Sequence, residues 1–366
     1  MKVAELTFVE FLNSKATWDD ALRRSWDNHD FLTWEWLSEW WKHFGDQREF
    51  HLVTVTDGGR ILAAAPLMSS IYKMLAMKLR KIEFIATPAS DYHTFLLTEK
   101  NPKHARMMIE YAFHEIPGWD YIELGEVPEN SETAKILATL DRRLGFKCRI
   151  QNACPYLPLP KRFEDFSENL SKHFRHNLGR YERKLRKEHL VNFKICSKAA
   201  EISDYMGIFF DLHRKRWQSK KKPGALAARK TRDFHLGVAE SFAEKGWLTL
   251  SSLALEDVPV ASIYGFDYQQ KLYFYLSGFD PAYSKYNVGD LQQLFLIKHC
   301  IGNGLKEFDF MRGDEPYKER WNTTVRRNLE FWVGAKGIVP FFYGTISKSR
   351  RFSSLLSAVG RHVSIR

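Results

Sequence analysis

The chain runs through the same order of elements twice. "HLVTVTDGGRILAAAPL", from His51, reads as two extended runs meeting at Asp57, Gly58 and Gly59, the residue types of a tight hairpin. Strands near 82–85 and 92–97 follow, a helix opens at Pro102 and runs to about Glu115, and "WDYIELGEVPEN" is a strand entering an acidic loop. In the second half "WLTLSSLALEDVPVASIYGF", from Trp247, is again two strands around a polar turn. "KLYFYLSGFD" is a further strand, 289–300 a helix, and "KEFDFMRGDEP" answers "WDYIELGEVPEN". Such an echo predicts a duplicated unit of hairpin, strand, helix and strand, hence an α/β fold (α+β, mixed sheet) in two domains of one kind. A chain of 366 residues is long enough for both.

The join is expected in "CPYLPLPKRF", 154–163, where prolines discourage continuous regular structure. This gives a first domain over 1–160, expected to be degenerate, a second over 161–345 carrying the active site, and a basic amphipathic tail over 346–366. Just past the join, 166–189 reads as one long helix, with Leu170, Phe174, Leu178, Tyr181 and Leu185 on one face and cations on the other. Near the start, 31–45 reads as an amphipathic helix whose Leu37, Trp40, Trp41 and Phe44 face the core, with Gly45 at its end.

Composition narrows the function classes. With 44% hydrophobic and 14% aromatic residues the chain is a folded globular protein. Its most apolar stretches fall well short of the roughly 20 residues a bilayer span needs, and the N-terminus lacks a signal-peptide core, so a cytosolic protein is expected. Cys148, Cys154, Cys196 and Cys300 show no CxxC spacing and are expected to be reduced. Neither HExxH nor a Cys/His set suggests a metal. The net charge of +11 is local: 172–187, 213–222 and 331–366 each carry a net +6, and the rest of the chain is net acidic. Anion-facing surfaces are implied more than a general nucleic-acid coat.

Three blocks, "FFDLHRKRWQSKKKPGAL" from Phe209, "LSGFDPAYSKYNVGDLQQLFLIKHCIGNG" from Leu276 and "FDFMRGDEPYKERW" from Phe308, resemble the CelD/BcsL family, the cellulose-biosynthesis-associated acetyltransferases of the GNAT superfamily. The resemblance extends from the Trp-rich helix at Phe31 to about Phe342, and RGDEPYKERW is its most specific part. It implies two tandem GNAT-like domains, a strand splayed from its neighbour, acyl-CoA in the resulting wedge, and direct attack on the thioester. The tandem halves are also similar to FemABX peptidyltransferases, which use aminoacyl-tRNA.

Acyl-CoA brings a pyrophosphate, and a helix N-terminus with free backbone N–H groups is suited to hold it. "YSKYNVGDLQQ" offers one: Asn287 as N-cap, Gly289 for close approach, Lys285 for charge, with Tyr286, Val288 and Asp290 completing the candidate donor site. Only one glycine stands where the GNAT loop carries Q/R-x-x-G-x-G/A. Acyl transfer to an amine, with a pKa of about 10, needs a proton acceptor. Asp314 and Glu315 are the candidate bases, unless Arg312 and Lys318 neutralise them in a purely structural cluster. Tyr317 or Tyr286 is the candidate proton donor to the departing thiolate, and backbone N–H groups around 276–279 the candidate oxyanion site. On the acceptor side, His213, Arg216 and Trp217, followed by the basic turn to Gly224, suit a polar, saccharide-like substrate, with Arg312 and Lys318 beside them. Phe352, Leu355, Leu356, Val359 and Val363 share one face of the tail, a pattern suited to an anionic membrane. Nucleic acid is expected as a partner only under the tRNA-dependent alternative.

Overall fold

The computed structural model describes residues 1–74 and 77–334; the tail at 346–366 lies outside the described residues. The chain forms two compact units. One is Met1–Gln151 together with the chain from Leu329, the other Asn152–Asn328.

The first unit contains β1 (Lys2–Leu6), α1 (Phe8–Asn13), α2 (Lys15–Arg24), α3 (Trp34–Phe44), β2 (Arg48–Asp57), β3 (Arg60–Met74), β4 (Met77–Phe84), β5 (Leu96–Leu97), α4 (Pro102–His114), β6 (Tyr121–Pro128) and α5 (Glu132–Leu144). Its strands lie in the order β1-β2-β3-β4-β6, with β5 against β3. The β2–β3 hairpin turns at Gly58 and Gly59, whose φ values of +53° and +80° are those of a primed turn, the kind that matches strand twist. Alternate residues Val53, Val55, Ala63, Ala65 and Leu67 face Met108, Ile109 and Ala112 of α4 in one core. Helix α3 starts where the Thr33 hydroxyl accepts the Trp36 N–H, and it buries Trp36, Leu37 and Trp40.

The strand foreseen at 92–97 shrinks to Leu96–Leu97, because the chain before it leaves the sheet direction. Helix α5 was not foreseen; its first turn is held by Asp27, whose carboxylate accepts the N–H groups of Glu132 and Thr133 at 3.1 and 3.0 Å.

The second unit contains most of β7 (Lys147–Pro158), then α6 (Phe163–Asn169), α7 (Lys172–Glu188), β8 (Val191–Ile195), α8 (Ile202–Ser219), α9 (Arg229–Glu244), β9 (Leu248–Leu255), β10 (Val258–Tyr268), β11 (Lys271–Phe279), α10 (Val288–Gly302), β12 (Glu307–Asp309), α11 (Pro316–Glu319) and the start of β13 (Thr324–Gly334). Its strands lie in the order β7-β12-β11-β10-β9-β8, all antiparallel neighbours except the parallel pair β11 and β12. The proline-containing stretch 154–158 is strand and not a linker: Pro155, which has no N–H to give, offers its carbonyl to the Phe310 N–H at 2.9 Å. The long helix foreseen over 166–189 is two helices, broken where Leu170 is extended and Ser171 caps α7 by accepting the Phe174 N–H at 3.2 Å. Trp321, fully buried, sits among the rings of Phe166, Phe174 and Phe310 at the centre of the core.

Candidate functional site

Strands β11 and β12 pair at Lys271–Glu307, Leu272–Phe308 and Tyr273–Asp309, and there they part. Beyond Asp309 the chain follows β7: the N–H groups of Phe310 and Gly313 bond the carbonyls of Pro155 and Ala153 at 2.9 and 2.8 Å. Strand β11 runs on through 274–279 against β10. A wedge therefore opens between 274–279 and 310–313. A bulge at its apex, where Tyr264 opposes Leu276 but Phe266 opposes Tyr273, re-aims the strand. Gly265 permits this, since a Cβ there would lie 2.5 Å from the Tyr273 carbonyl oxygen.

Pleating decides which groups face the gap. Asp280 gives its N–H to Val260 of β10, so residues 276 and 278 also bond toward β10, and the backbone groups of Ser277 and Phe279 face the open edge. Arg216 confirms this: its guanidinium donates to the Ser277 carbonyl at 3.2 Å and hydroxyl at 2.7 Å, with its centre 5.3 Å from the Phe279 ring. It comes from α8, which meets β11 backbone to backbone, since a Cβ on Gly278 would stand 2.2 Å from the His213 nitrogen. The sequence therefore brings His213, Arg216 and Trp217 to one edge of the wedge. His213 is 2% exposed, and burial, aided by the Arg216 charge, pushes its imidazole down to about 4, so it is neutral at pH 7. Its Nε2 has no hydrogen-bond partner among the described residues. The turn after α8 folds back, Lys222 N–H to Trp217 carbonyl, and seats Gly224 (φ +76°) on the Trp217 and His213 rings.

The charged stretch after β12 is organised by Lys318. Its ammonium is buried and donates to the carbonyls of Met311, Arg312 and Gly313 at 3.2, 2.9 and 3.1 Å, and it pairs with Glu315 at 2.9 Å. With its donors committed to the turn and to Glu315 it shapes the loop, which fits the structural-cluster reading of Lys318 better than a substrate contact. Asp314 is exposed and Glu315 57% exposed, so neither candidate base is held out of water. Glu315 nevertheless lies near enough to Arg216 and Tyr317 for its charge to act on both; Asp314 shows no such influence. Tyr317 is half-buried beside Phe310, and burial, reinforced by Glu315, pushes its phenol well up, so it keeps its proton.

At the foot of β11 a 3-10 turn, Pro281–Tyr286, leads into α10. Asn287 stands at the N-cap in the left-handed region (φ +54°), but its side chain donates to Asp290 at 2.7 Å instead of capping. Asp290 is also gripped by Arg320 through both oxygens, at 3.1 and 3.0 Å, and so ties the helix start to the 310–320 loop. Among the described residues a Cβ on Gly289 would meet only the Phe279 ring, at 3.5 Å, an ordinary contact that does not itself demand glycine. Val288 is buried, and Lys285 is exposed above the Tyr286 ring. Tyr286 is buried with its hydroxyl on Glu188 at 2.5 Å and on His189 at 3.0 Å, a commitment that leaves Tyr317 as the phenol beside the wedge. Sequence reasoning placed the strand edge around 276–279 but missed the Arg216 contact to Ser277, the close approach at Gly278 and the grip of Arg320 on Asp290. The glycine within "LSGF" was the available signal, since glycine inside a strand marks a close backbone approach.

Among the described residues no group of three or more His, Cys, Asp or Glu side chains could hold a metal, and no helix is long and apolar enough to cross a membrane.

Residues 172–319, from α7 through α11, match the acetyltransferase (GNAT) domain family. The fold is shared with FemX, at a TM-score of 0.62 and 10% identity over 90% of this chain and 97% of that one. It is also shared with the C-terminal domain of a putative lysylphosphatidylglycerol synthetase from Agrobacterium fabrum (TM-score 0.56, 12% identity, 89% and 92% covered). L-PGS from Bacillus licheniformis is similar as well (0.52, 11%, 84% and 93%). No curated protein matches the sequence. Identities this low carry the fold alone. Residues 172–319 of the second unit are thus similar to GNAT acetyltransferase domains, and the chain has the mixed α/β fold seen in FemX.

Proposed function

We propose that the protein is an acyl-CoA-dependent acyltransferase, of the CelD/BcsL type in its motifs, that moves an acetyl or other acyl group to an amine or hydroxyl of a polar, saccharide-like acceptor. The observation that carries this reading is the open edge of β11: a strand with backbone groups at Ser277 and Phe279 facing a gap, ending at a helix N-terminus. Pantetheine lies along that edge, and the pyrophosphate meets the first turn of α10, where unbonded N–H groups and the helix dipole favour negative charge. An edge N–H accepts the developing oxyanion.

The acceptor enters over α8. Arg216 holds a carboxylate or phosphate of the acceptor, Trp217 stacks on its ring, His213 offers an uncharged nitrogen, and Arg312 lies across the gap. Attack on the thioester forms the new C–N or C–O bond and breaks C–S. Glu315, the carboxylate that acts on both Arg216 and Tyr317, takes the acceptor's proton, and Tyr317 gives its own to the leaving thiolate. Asp314 is the weaker candidate for the base. The alternative reading, an aminoacyl-tRNA-dependent transferase, rests on the fold shared with FemX.

Thermal unfolding of the full chain with acetyl-CoA, longer acyl-CoAs and aminoacyl-tRNA separates these. A donor at a hundred times its dissociation constant stabilises the fold by about 2.7 kcal/mol. Stabilisation by an acyl-CoA supports the proposal, stabilisation by aminoacyl-tRNA alone replaces it with the alternative, and no response to either removes the enzyme assignment.

A further inference from the structure

Helix α7 divides its circumference cleanly. Phe174, Leu178 and Leu185 are buried in the core of the second unit, and Tyr181 packs beside them. At about 100° per residue the cations Lys172, Arg175, Arg180, Arg183, Lys184, Arg186 and Lys187, with His173 and His176, fall within about half of the circumference, opposite that apolar stripe. All of them are exposed. The helix's two acids stand at the margins of this face: Glu182 pairs with Arg186, and Glu188 accepts the Tyr286 hydroxyl. Lys172, Arg183 and Lys187 make no ion pair among the described residues. The result is a cationic ridge about 25 Å long, which the catalytic proposal does not use.

From this geometry we infer that the outward face of α7 is a docking surface for an anionic lipid bilayer. Charge sets the sign of the partner. Shape favours a bilayer over a single-stranded nucleic acid, because the ridge is convex and carries no Phe, Tyr or Trp at its outward positions, whereas single strands are held in grooves by aromatic stacking. Leu190, just beyond the helix, is 68% exposed, and the neighbouring Glu256 carboxylate is paired with His189. Cation clusters of this size beside an amphipathic element are attracted to anionic headgroups and are released by salt.

The test is co-sedimentation of the full chain with vesicles of phosphatidylcholine alone or with about a third phosphatidylglycerol, and the triple variant Lys172→Gln, Arg183→Gln, Lys187→Gln beside the parent. The parent is expected to bind the anionic vesicles at least about 30-fold more tightly, with affinity falling steeply as salt rises. The triple variant is expected to lose most of that preference while keeping its melting temperature. Retained binding in the triple variant would place the contact elsewhere and overturn the inference. So would equal binding to both vesicle types, or no binding to the anionic vesicles, in which case salt-sensitive binding of duplex RNA would name the partner instead. Acyl-CoA binding, measured separately on both proteins, reports on the catalytic proposal alone.

Discussion

Each unit contains a parallel pair of strands that part, yet only one of the two gaps stays available. In the first unit β4 and β6 pair at Lys81–Tyr121 and Ile82–Ile122 and then diverge. There the chain fills its own opening. His93 gives its backbone N–H to Glu126 and its ring N–H to Gly125, at 2.8 and 3.1 Å, while its ring stacks on Phe84 of β4 at 5.0 Å. In the second unit the corresponding edge, at Ser277, is met by a single side chain from α8, the Arg216 guanidinium. The same topology is thus a closed core in one copy and a candidate site in the other, and what decides is whether the plug is a backbone segment or a single guanidinium.

Experiment can test this difference between the two gaps. The largest effect is expected from Gly278→Ala: a methyl at 2.2 Å from the α8 backbone must push helix from strand, at a cost of about 3 kcal/mol in denaturant unfolding. A tolerated alanine would mean that α8 is not held against the edge.

Nearly as large is the pH dependence at His213. Its folded value of about 4 lies below the ordinary 6.5, so between these the unfolded chain holds a proton that the folded one lacks. Stability is therefore full above pH 6.5 and falls, by about 3 kcal/mol in all, as pH drops to 4. Urea midpoints across that window should show the slope, and His213→Gln should flatten it.

Third, Tyr317→Phe is expected to slow acyl transfer about 100-fold with folding intact, the usual loss for a proton donor. Unchanged turnover would remove Tyr317 from the mechanism. Fourth, His93→Ala should cost about 2 kcal/mol by opening the filled gap, yet leave acyl-CoA affinity untouched. A gain or loss of donor binding would show that the first unit's gap is functional. The smallest effect belongs to Gly289→Ala, whose methyl finds only ordinary contact with Phe279: a few tenths of a kcal/mol in stability, so that any large loss of acyl-CoA affinity in this variant reports close approach by the ligand.

Much of this was legible beforehand where one short stretch carries its own reason. The Asp57-Gly58-Gly59 turn, the α3 tryptophans and the repeated order of hairpin, strand, helix and strand follow from local periodicity and turn chemistry. The block RGDEPYKERW was visible as unusual, but the roles within it were not. Lys318 looked like a substrate contact because its sequence shows only a charge; that it binds the carbonyls of Met311, Arg312 and Gly313 depends on Met311 and Gly313 adopting positive φ. Asp290 and Tyr286 likewise looked available and are engaged, by Arg320 and by Glu188 with His189, partners far along the chain.

The amino-acid sequence alone determined that there are two copies of one α/β pattern, which apolar faces turn inward, and where charge collects, because each rests on the spacing of neighbouring side chains. Only the tertiary structure decided which gap is open, which face of β11 looks into it, and which charged groups are committed elsewhere. Those depend on strand register, on backbone conformations such as the positive φ of Met311 and Gly313, and on contacts between residues far apart in the chain, which no side-chain spacing encodes.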